Sequence, residues 1–439
     1  MRAALLILRF TVCALLTALF CVDDWGSGLA PRSGQRSVLE SPQVRVVADG
    51  ESHLPADRCR KMIVGPGVNQ PDPFPGYRGF VGWESPVRLR DGSMLVTFNA
   101  GYWHISWPTP LPLSWIDRLR HRYSFVVDFE APMGGRVMMS RSSDEGVTWS
   151  KPRTLVDTPY DDRHPAITEL SDGTLLCSFW TSPNQRLDSI EVDPSKSKRT
   201  AVVRSFDGGQ TWEQQLRRLP PVFVRDATDG PVMEMPDGSI LLTSYGKDKD
   251  LINNDWEWGR WVIGVFRSTD RGASWRLLSK IVTDRDQIEE SMVRLQDGRL
   301  VMITRPEGAI SWSEDEGRTW TQPVTFGFRM FAPTLQVLAD GTLVCHYGCS
   351  NAKGLRAIFS RDGGSTWIAP ARDHGFLIDD TYGYSRSCLL PDGSVYIAYI
   401  ETGGHRTPDA RKNAIWSIKL RIRPDHSGIE LLPLSEKQK

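Results

Sequence analysis

Ser142-Ser143-Asp144-Glu145-Gly146-Val147-Thr148-Trp149 is one of five copies of the pattern SxDxGxTW. The others run from Ser205 to Trp212, from Ser268 to Trp275 (with Ser274 for Thr), from Ser313 to Trp320 and from Ser360 to Trp367. Their aspartates, Asp144, Asp207, Asp270, Asp315 and Asp362, are 63, 63, 45 and 47 residues apart. Self-similarity at such a period marks an array of like supersecondary units. Within each copy the Asp side chain can accept backbone N–H bonds of its own turn, Gly can take a left-handed conformation, and Trp can cover an apolar inter-strand surface. The pattern is therefore assigned a structural role, not a catalytic one.

A second repeat is more complete. Asp-Gly stands between short apolar runs at Asp91, Asp172, Asp237, Asp297, Asp340 and Asp392, six copies over 301 residues. Asp-Gly between β-rich runs signals a tight hairpin, because the turn needs positive φ and Gly supplies it. Each unit is then a strand, a hairpin, a second and a third strand, the SxDxGxTW turn and a fourth strand. Six such units predict an all-β fold, a six-bladed β-propeller of four-stranded antiparallel blades. The sixth unit lacks the SxDxGxTW turn. Its strands are expected within Ser385–Ile400 and Ala414–Ile422, with Gln43–Ala48 joining this blade to close the ring. The implied division is a leader over 1–30, a flexible lead-in over 31–59, the propeller over 60–425 and a C-terminal tail over 426–439.

The 439 residues carry 53 basic and 53 acidic side chains, a formal net charge of zero. That balance offers no electrostatic footprint for nucleic acid or an anionic membrane, so a partner must be sought at a local site. The N-terminus has an apolar core from Phe10 to Val22, 13 residues long. It suits a signal-peptide core and is short for a membrane span, so a secreted or periplasmic protein is expected, with an uncleaved anchor as the alternative. Outside the leader stand Cys59, Cys177, Cys345, Cys349 and Cys388, an odd number that leaves at least one thiol unpaired. Cys345-His346-Tyr347-Gly348-Cys349 has no second ligand pair nearby, so neither metal nor cofactor is expected.

In a four-stranded meander the 1→2 and 3→4 turns share one rim, which places both repeats together and leaves the opposite rim for chemistry. Its positions precede each first strand and follow each second strand, and they converge on the central pocket. Before the first strands come Trp83-Glu84, Arg163-His164, Asp226 with Asp229, Glu289-Glu290, Arg329-Met330 and Tyr382 with Tyr384. After the second strands come Asn99 with Tyr102, Trp180, Tyr245, Arg305, His346 and Glu401. Two insertions on this rim, over 101–135 and 246–261, are rich in Trp, whose faces suit sugar rings or pack the insertions onto the barrel.

With these features the chain resembles the sialidase (neuraminidase) superfamily, six-bladed propellers with Asp boxes, over roughly residues 60–422. That family uses a Tyr nucleophile, a Glu that activates it, an Asp acid/base on the first-blade insertion and three Arg that clamp the substrate carboxylate. Tyr384-Ser385-Arg386-Ser387 is similar to the family's nucleophile segment, which makes Tyr384 the implied nucleophile. Glu289-Glu290-Ser291 resembles the segment of the activating Glu, so one of these two takes that role. Arg305, after Met302-Ile303-Thr304, matches the second Arg. Glu130-Ala131-Pro132 stands where the family has Asp-Ala-Pro, implying Glu130 as acid/base with Asp128 as competitor. The first Arg position meets Gly82-Trp83-Glu84-Ser85-Pro86, and the third meets Asn351-Ala352-Lys353-Gly354 with Arg356 as a substitute.

The resemblance implies an exported, exo-acting, retaining glycoside hydrolase that removes a terminal sugar, by default sialic acid, from a glycan or glycoconjugate. Catalytic candidates are Tyr384, Glu290, Glu289, Glu130 and Asp128. Substrate-binding candidates are Arg305, Glu84, His164, Arg163, Asp229, Arg356 and Trp83. Each missing clamp contact would cost roughly 1.5–3 kcal/mol of binding. A different terminal sugar, or a non-catalytic glycan-binding propeller, are the alternatives.

Overall fold

A computed structural model describes residues 42–47, 54–75, 77–101, 134–182, 198–248, 251, 260–349, 353–370, 374–381, 383–401 and 413–434, and the statements below concern these. They form six small antiparallel sheets arranged as the blades of a propeller. Blade 1 consists of Phe80–Arg88, Met94–Gly101, Arg136–Ser142 and Arg153–Val156. Blades 2 to 5 repeat the meander, starting from Asp161–Glu169, Phe223–Ala227, Ile288–Arg294 and Met330–Val337. In blade 3 the first strand is broken, resuming at Met233–Glu234.

Middle strands such as Leu300–Arg305 and Leu343–Cys349 are buried along their whole length. A blade wedged between two neighbours has both faces covered, which is why these strands are mostly apolar, with no alternation of polar residues. Six apolar seams result, one between each pair of adjacent blades. Leu95, Val137 and Met139 of blade 1, for example, pack against Ile167, Cys177 and Val203 of blade 2. Met94, Val96 and Phe98 of blade 1 meet Tyr396, Ala398 and Ile415 of blade 6 and so complete the circle. Among the described residues Cys59, Cys177, Cys345, Cys349 and Cys388 are free thiols.

Both repeats form the turns expected of them. In all six hairpins the Asp carboxylate accepts the N–H two residues on, from Ser93 to Asp91 at 2.8 Å through Ser394 to Asp392 at 3.0 Å. The following glycines have φ between 79° and 95°. In the SxDxGxTW turns the Asp accepts the N–H four residues on, as from Thr148 to Asp144 at 2.9 Å and from Thr366 to Asp362 at 2.8 Å. Trp149 Nε1 closes its turn on the Gly146 carbonyl at 3.1 Å.

The ring closes differently from the sequence-based expectation. Gln43–Val47 pairs in parallel with Thr366–Pro370 at the outer edge of blade 5, not with blade 6. The fourth strand of blade 6 is composite. Lys61–Val64 pairs with one half of Ala414–Ile422, and Ile429–Leu432, from the stretch assigned to a tail, pairs with the other half. Residues from both ends of the propeller therefore complete one blade, so that opening it must break ladder hydrogen bonds and a seam together.

Two outcomes follow for stability. Ile63, fully buried in the closing segment, should not tolerate Asp: Ile63→Asp is expected to lower the urea midpoint far more than Val44→Asp, since Val44 is 40% exposed on the edge strand and should shift stability by about 0.5 kcal/mol or less. Trp367 is completely buried and donates to the Gly364 carbonyl at 2.7 Å. Trp367→Ala is expected to cost about 3–5 kcal/mol by denaturant titration.

Candidate active site

The six first strands reach the centre with a common phase. Eight residues before the Asp of each Asp-Gly turn stand Trp83, His164, Asp229, Glu289, Ala332 and Tyr384, in blades 1 to 6. Four of them, Trp83, His164, Glu289 and Ala332, have φ of 53°, 50°, 50° and 41°, and the strand register shifts at each of these points. A bulge re-aims a side chain that strict alternation would send elsewhere, and a non-Gly residue held in the left-handed region is a strain retained at functional sites.

Tyr384 and Glu289 meet across the channel. The Tyr384 hydroxyl donates to Glu289 Oε1 at 2.8 Å, and Arg305 Nη1 donates to the same oxygen at 2.6 Å. Arg305 Nη1 is also 3.4 Å from the Tyr384 oxygen, and the Ala332 N–H reaches Glu289 Oε2 at 3.3 Å. The guanidinium lies 4.2 Å over the Phe331 ring. Burial, then the Glu289 charge, push the Tyr384 phenol well above its ordinary pKa, against the pull of Arg305. At rest the pair is thus a phenol hydrogen-bonded to a carboxylate. Glu289, not Glu290, faces Tyr384.

Beside this pair a small recess is lined by Trp83, Glu84, His164, Pro165, Asp229, Tyr384 and Arg386. The Trp83 and His164 rings stack with centroids 4.3 Å apart, and Tyr384 presents its edge to His164 at 5.6 Å. His164 Nδ1 contacts Asp229 Oδ1. Arg386 anchors the base of the recess, donating from Nε and Nη2 to the Asp229 carbonyl at 3.0 and 2.6 Å and from Nη1 to Thr334 Oγ1 at 2.7 Å. Burial opposes the Asp229 charge, but His164, Arg386 and Lys198 outweigh it and hold this carboxyl below the usual range.

Of the residues expected at the site, Tyr384, Glu289, Arg305, Trp83, Glu84, His164 and Asp229 come together. Arg163 and Arg356 do not line the recess. Arg163 is fully buried and donates to Asp161 at 2.9 Å and to Asn99, while Arg356 donates to the carbonyls of Lys353 and Gly375 at 3.0 and 2.9 Å. Glu130 and Asp128 lie outside the described residues. Sequence reasoning passed over Arg386 and Lys198. Arg386 stands six residues before Asp392, a phase occupied in the other blades by Ser85, Ala166, Pro231, Ser291 and Thr334; superposing the six first strands would have singled it out. The Lys198 ammonium lies 4.7, 5.5 and 5.4 Å from the rings of Trp180, Tyr245 and Trp261, and burial, with Arg225, lowers it to about 7.

Glu84 and Glu290 are completely buried in the channel. Burial pushes both carboxyls up from 4.5 to about 8, the Asp229 charge adding to the shift at Glu290. A folded chain that keeps these protons while the unfolded chain releases them gains relative stability below pH of about 4.5 and loses it as pH rises toward 8. Glu84→Gln and Glu290→Gln should each lose less stability than the wild type between those values. Denaturant titrations across that window check this, and a pH-independent difference between variant and wild type would count against protonated carboxyls in the channel.

The sequence profile described as the BNR repeat-like domain matches residues 136–397. A sialidase of Bacteroides fragilis is 22% identical over 331 residues, which cover 66% of this chain and 58% of that protein, so the chain spans less than two thirds of the curated relative. Among solved structures, a Dyadobacter fermentans protein of unknown function superposes with a TM-score of 0.61 at 19% identity, covering 86% of this chain and 99% of that one. The Hadza microbial sialidase Hz136 superposes with a TM-score of 0.57 at 17% identity, covering 81% and 66% of the two chains. At these identities the superpositions establish the fold. Matched over more than half its length, the chain belongs to the BNR repeat-like domain family, within the sialidase superfamily.

Proposed function

We propose that this protein is an exported, exo-acting glycoside hydrolase that removes a terminal sugar from a glycan by a retaining, two-step mechanism with Tyr384 as nucleophile. The observation that carries the reading is the 2.8 Å hydrogen bond from the Tyr384 hydroxyl to Glu289, with Arg305 on the same carboxylate oxygen at 2.6 Å. A nucleophile within hydrogen-bond reach of a base that a third group orients is the general signature of covalent catalysis. Burial keeps the phenol protonated until it attacks, when Glu289 takes its proton, and Arg305 steadies the charge on both oxygens. A neutral phenol also avoids the repulsion that a carboxylate nucleophile would meet at an anomeric carbon bearing a negative substituent.

The sialidase named among the relatives and the resemblance of the Tyr384 and Arg305 segments support a terminal sialic acid as the default substrate. The stacked Trp83 and His164 rings give the recess an aromatic wall that suits a sugar face. The resemblance offers Glu130 or Asp128 for the leaving-group proton. Export rests on the apolar leader between Phe10 and Val22.

A panel of aryl glycosides, sialosides included, tests this reading. Turnover of at least one is expected, with kcat/KM falling about 10³-fold or more in Tyr384→Phe and about 10²- to 10⁴-fold in Glu289→Gln, while circular dichroism stays unchanged. Undiminished activity of Tyr384→Phe would remove the nucleophile. Binding of glycans without turnover of any would favour a non-catalytic propeller.

A further inference from the structure

We propose that His164, oriented by Asp229, is the acid/base of the reaction, giving a proton to the leaving oxygen and then taking one from water. The proposal rests on the glycoside-hydrolase reading above. It differs from what the resemblance offers, because it draws the proton from the wall of the recess and not from the first-blade insertion.

The geometry has three parts. His164 lines the recess next to Tyr384, ring centroids 5.6 Å apart. Its Nδ1 is on Asp229 Oδ1, which leaves Nε2 without a hydrogen-bond partner among the described residues, at the wall of the recess. The ring is fixed by Trp83 on one side and by Trp180 at 5.6 Å, and Asp229 is itself fixed, its Oδ2 3.5 Å from Arg386 Nη2 and its carbonyl held by two donors of that guanidinium. A base held in one tautomer and orientation by a buried carboxylate, with its second nitrogen open toward a nucleophile's pocket, is the arrangement that proton transfer in catalysis needs. The backbone of His164 is held at φ 50°, the bulge that turns the ring to the centre.

Protons and bonds balance through both steps. As Tyr384 Oη bonds to the anomeric carbon, the bond to the leaving oxygen breaks; Glu289 receives the phenol proton and His164 Nε2–H, in the imidazolium form, protonates the leaving oxygen. Neutral His164 then takes a proton from water as the water oxygen bonds to the anomeric carbon. Tyr384 leaves as phenol, recovering its proton from Glu289, and both side chains return to their starting states.

The test compares leaving groups on the sugar that the wild type turns over. For His164→Gln the rate on a methyl glycoside should fall about 100-fold or more, whereas formation of the glycosyl-enzyme from a dinitrophenyl glycoside, which leaves without a proton, should change by less than about 5-fold. Azide should restore turnover of the aryl substrate and yield a glycosyl azide. Asp229→Asn, which keeps the ring in place, should show the same split at smaller amplitude and keeps the question answerable if His164→Gln does not fold. Equal losses on both substrates, or the split in Glu130→Gln or Asp128→Asn and not in His164→Gln, would overturn the assignment. Should Tyr384→Phe stay active while His164→Gln shows the split, the nucleophile falls and the acid/base stands.

Discussion

A single blade of this protein cannot exist alone, because its middle strands are apolar on both faces. Leu300 to Arg305 and Leu343 to Cys349 are buried throughout, and only neighbouring blades can cover both sides. The favourable term is the apolar area removed from water along six seams, and it is complete only when the ring closes. Closure brings Lys61–Val64 and Ile429–Leu432 onto the same partner strand. It also forces the six first strands to face one axis, so whatever stands at their common phase must share the channel.

What stands there is an unusual set of charges for so small a volume. Glu84, Asp229, Glu289 and Glu290 are all buried, and they do not share one state. Glu289 is hydrogen-bonded by Tyr384 and Arg305, and Asp229 is held ionised by His164, Arg386 and Lys198. Glu84 and Glu290 are pushed toward neutrality by burial. Ion-paired carboxylates next to protonated carboxyls let four acids occupy one channel with little mutual repulsion. Arg386 is central to this balance, because its guanidinium ties the strand that carries Tyr384 to Asp229 in blade 3 and Thr334 in blade 5.

Much of the fold was legible because turn chemistry is local. An Asp that accepts the N–H two or four residues on, followed by a Gly at positive φ, forms within one short stretch whatever surrounds it, so eleven turns could be read before any packing was known. The convergence of Tyr384, Arg305 and a Glu was legible for the same reason: they lie at fixed offsets from those turns. Glu289 against Glu290 was not, because alternation along a strand sends neighbours to opposite sides and a bulge breaks that alternation at this point. The same bulge at His164 turns its neighbour Arg163 into the scaffold toward Asp161 and Asn99.

By itself, then, the sequence determined the number of blades, the order of their strands, the rim that carries the turns and the side chains available near the axis, since each depends on contacts a few residues apart. The tertiary structure decided which of two short strands, Gln43–Val47 or Lys61–Val64, closes the ring, since that depends on how much of Ala414–Ile422 is left uncovered by Ile429–Leu432. It also decided which carboxylate meets Tyr384, and that His164 and Asp229, 65 residues apart, form a pair. Those contacts join different blades, and only the closing of the ring sets the distances between them.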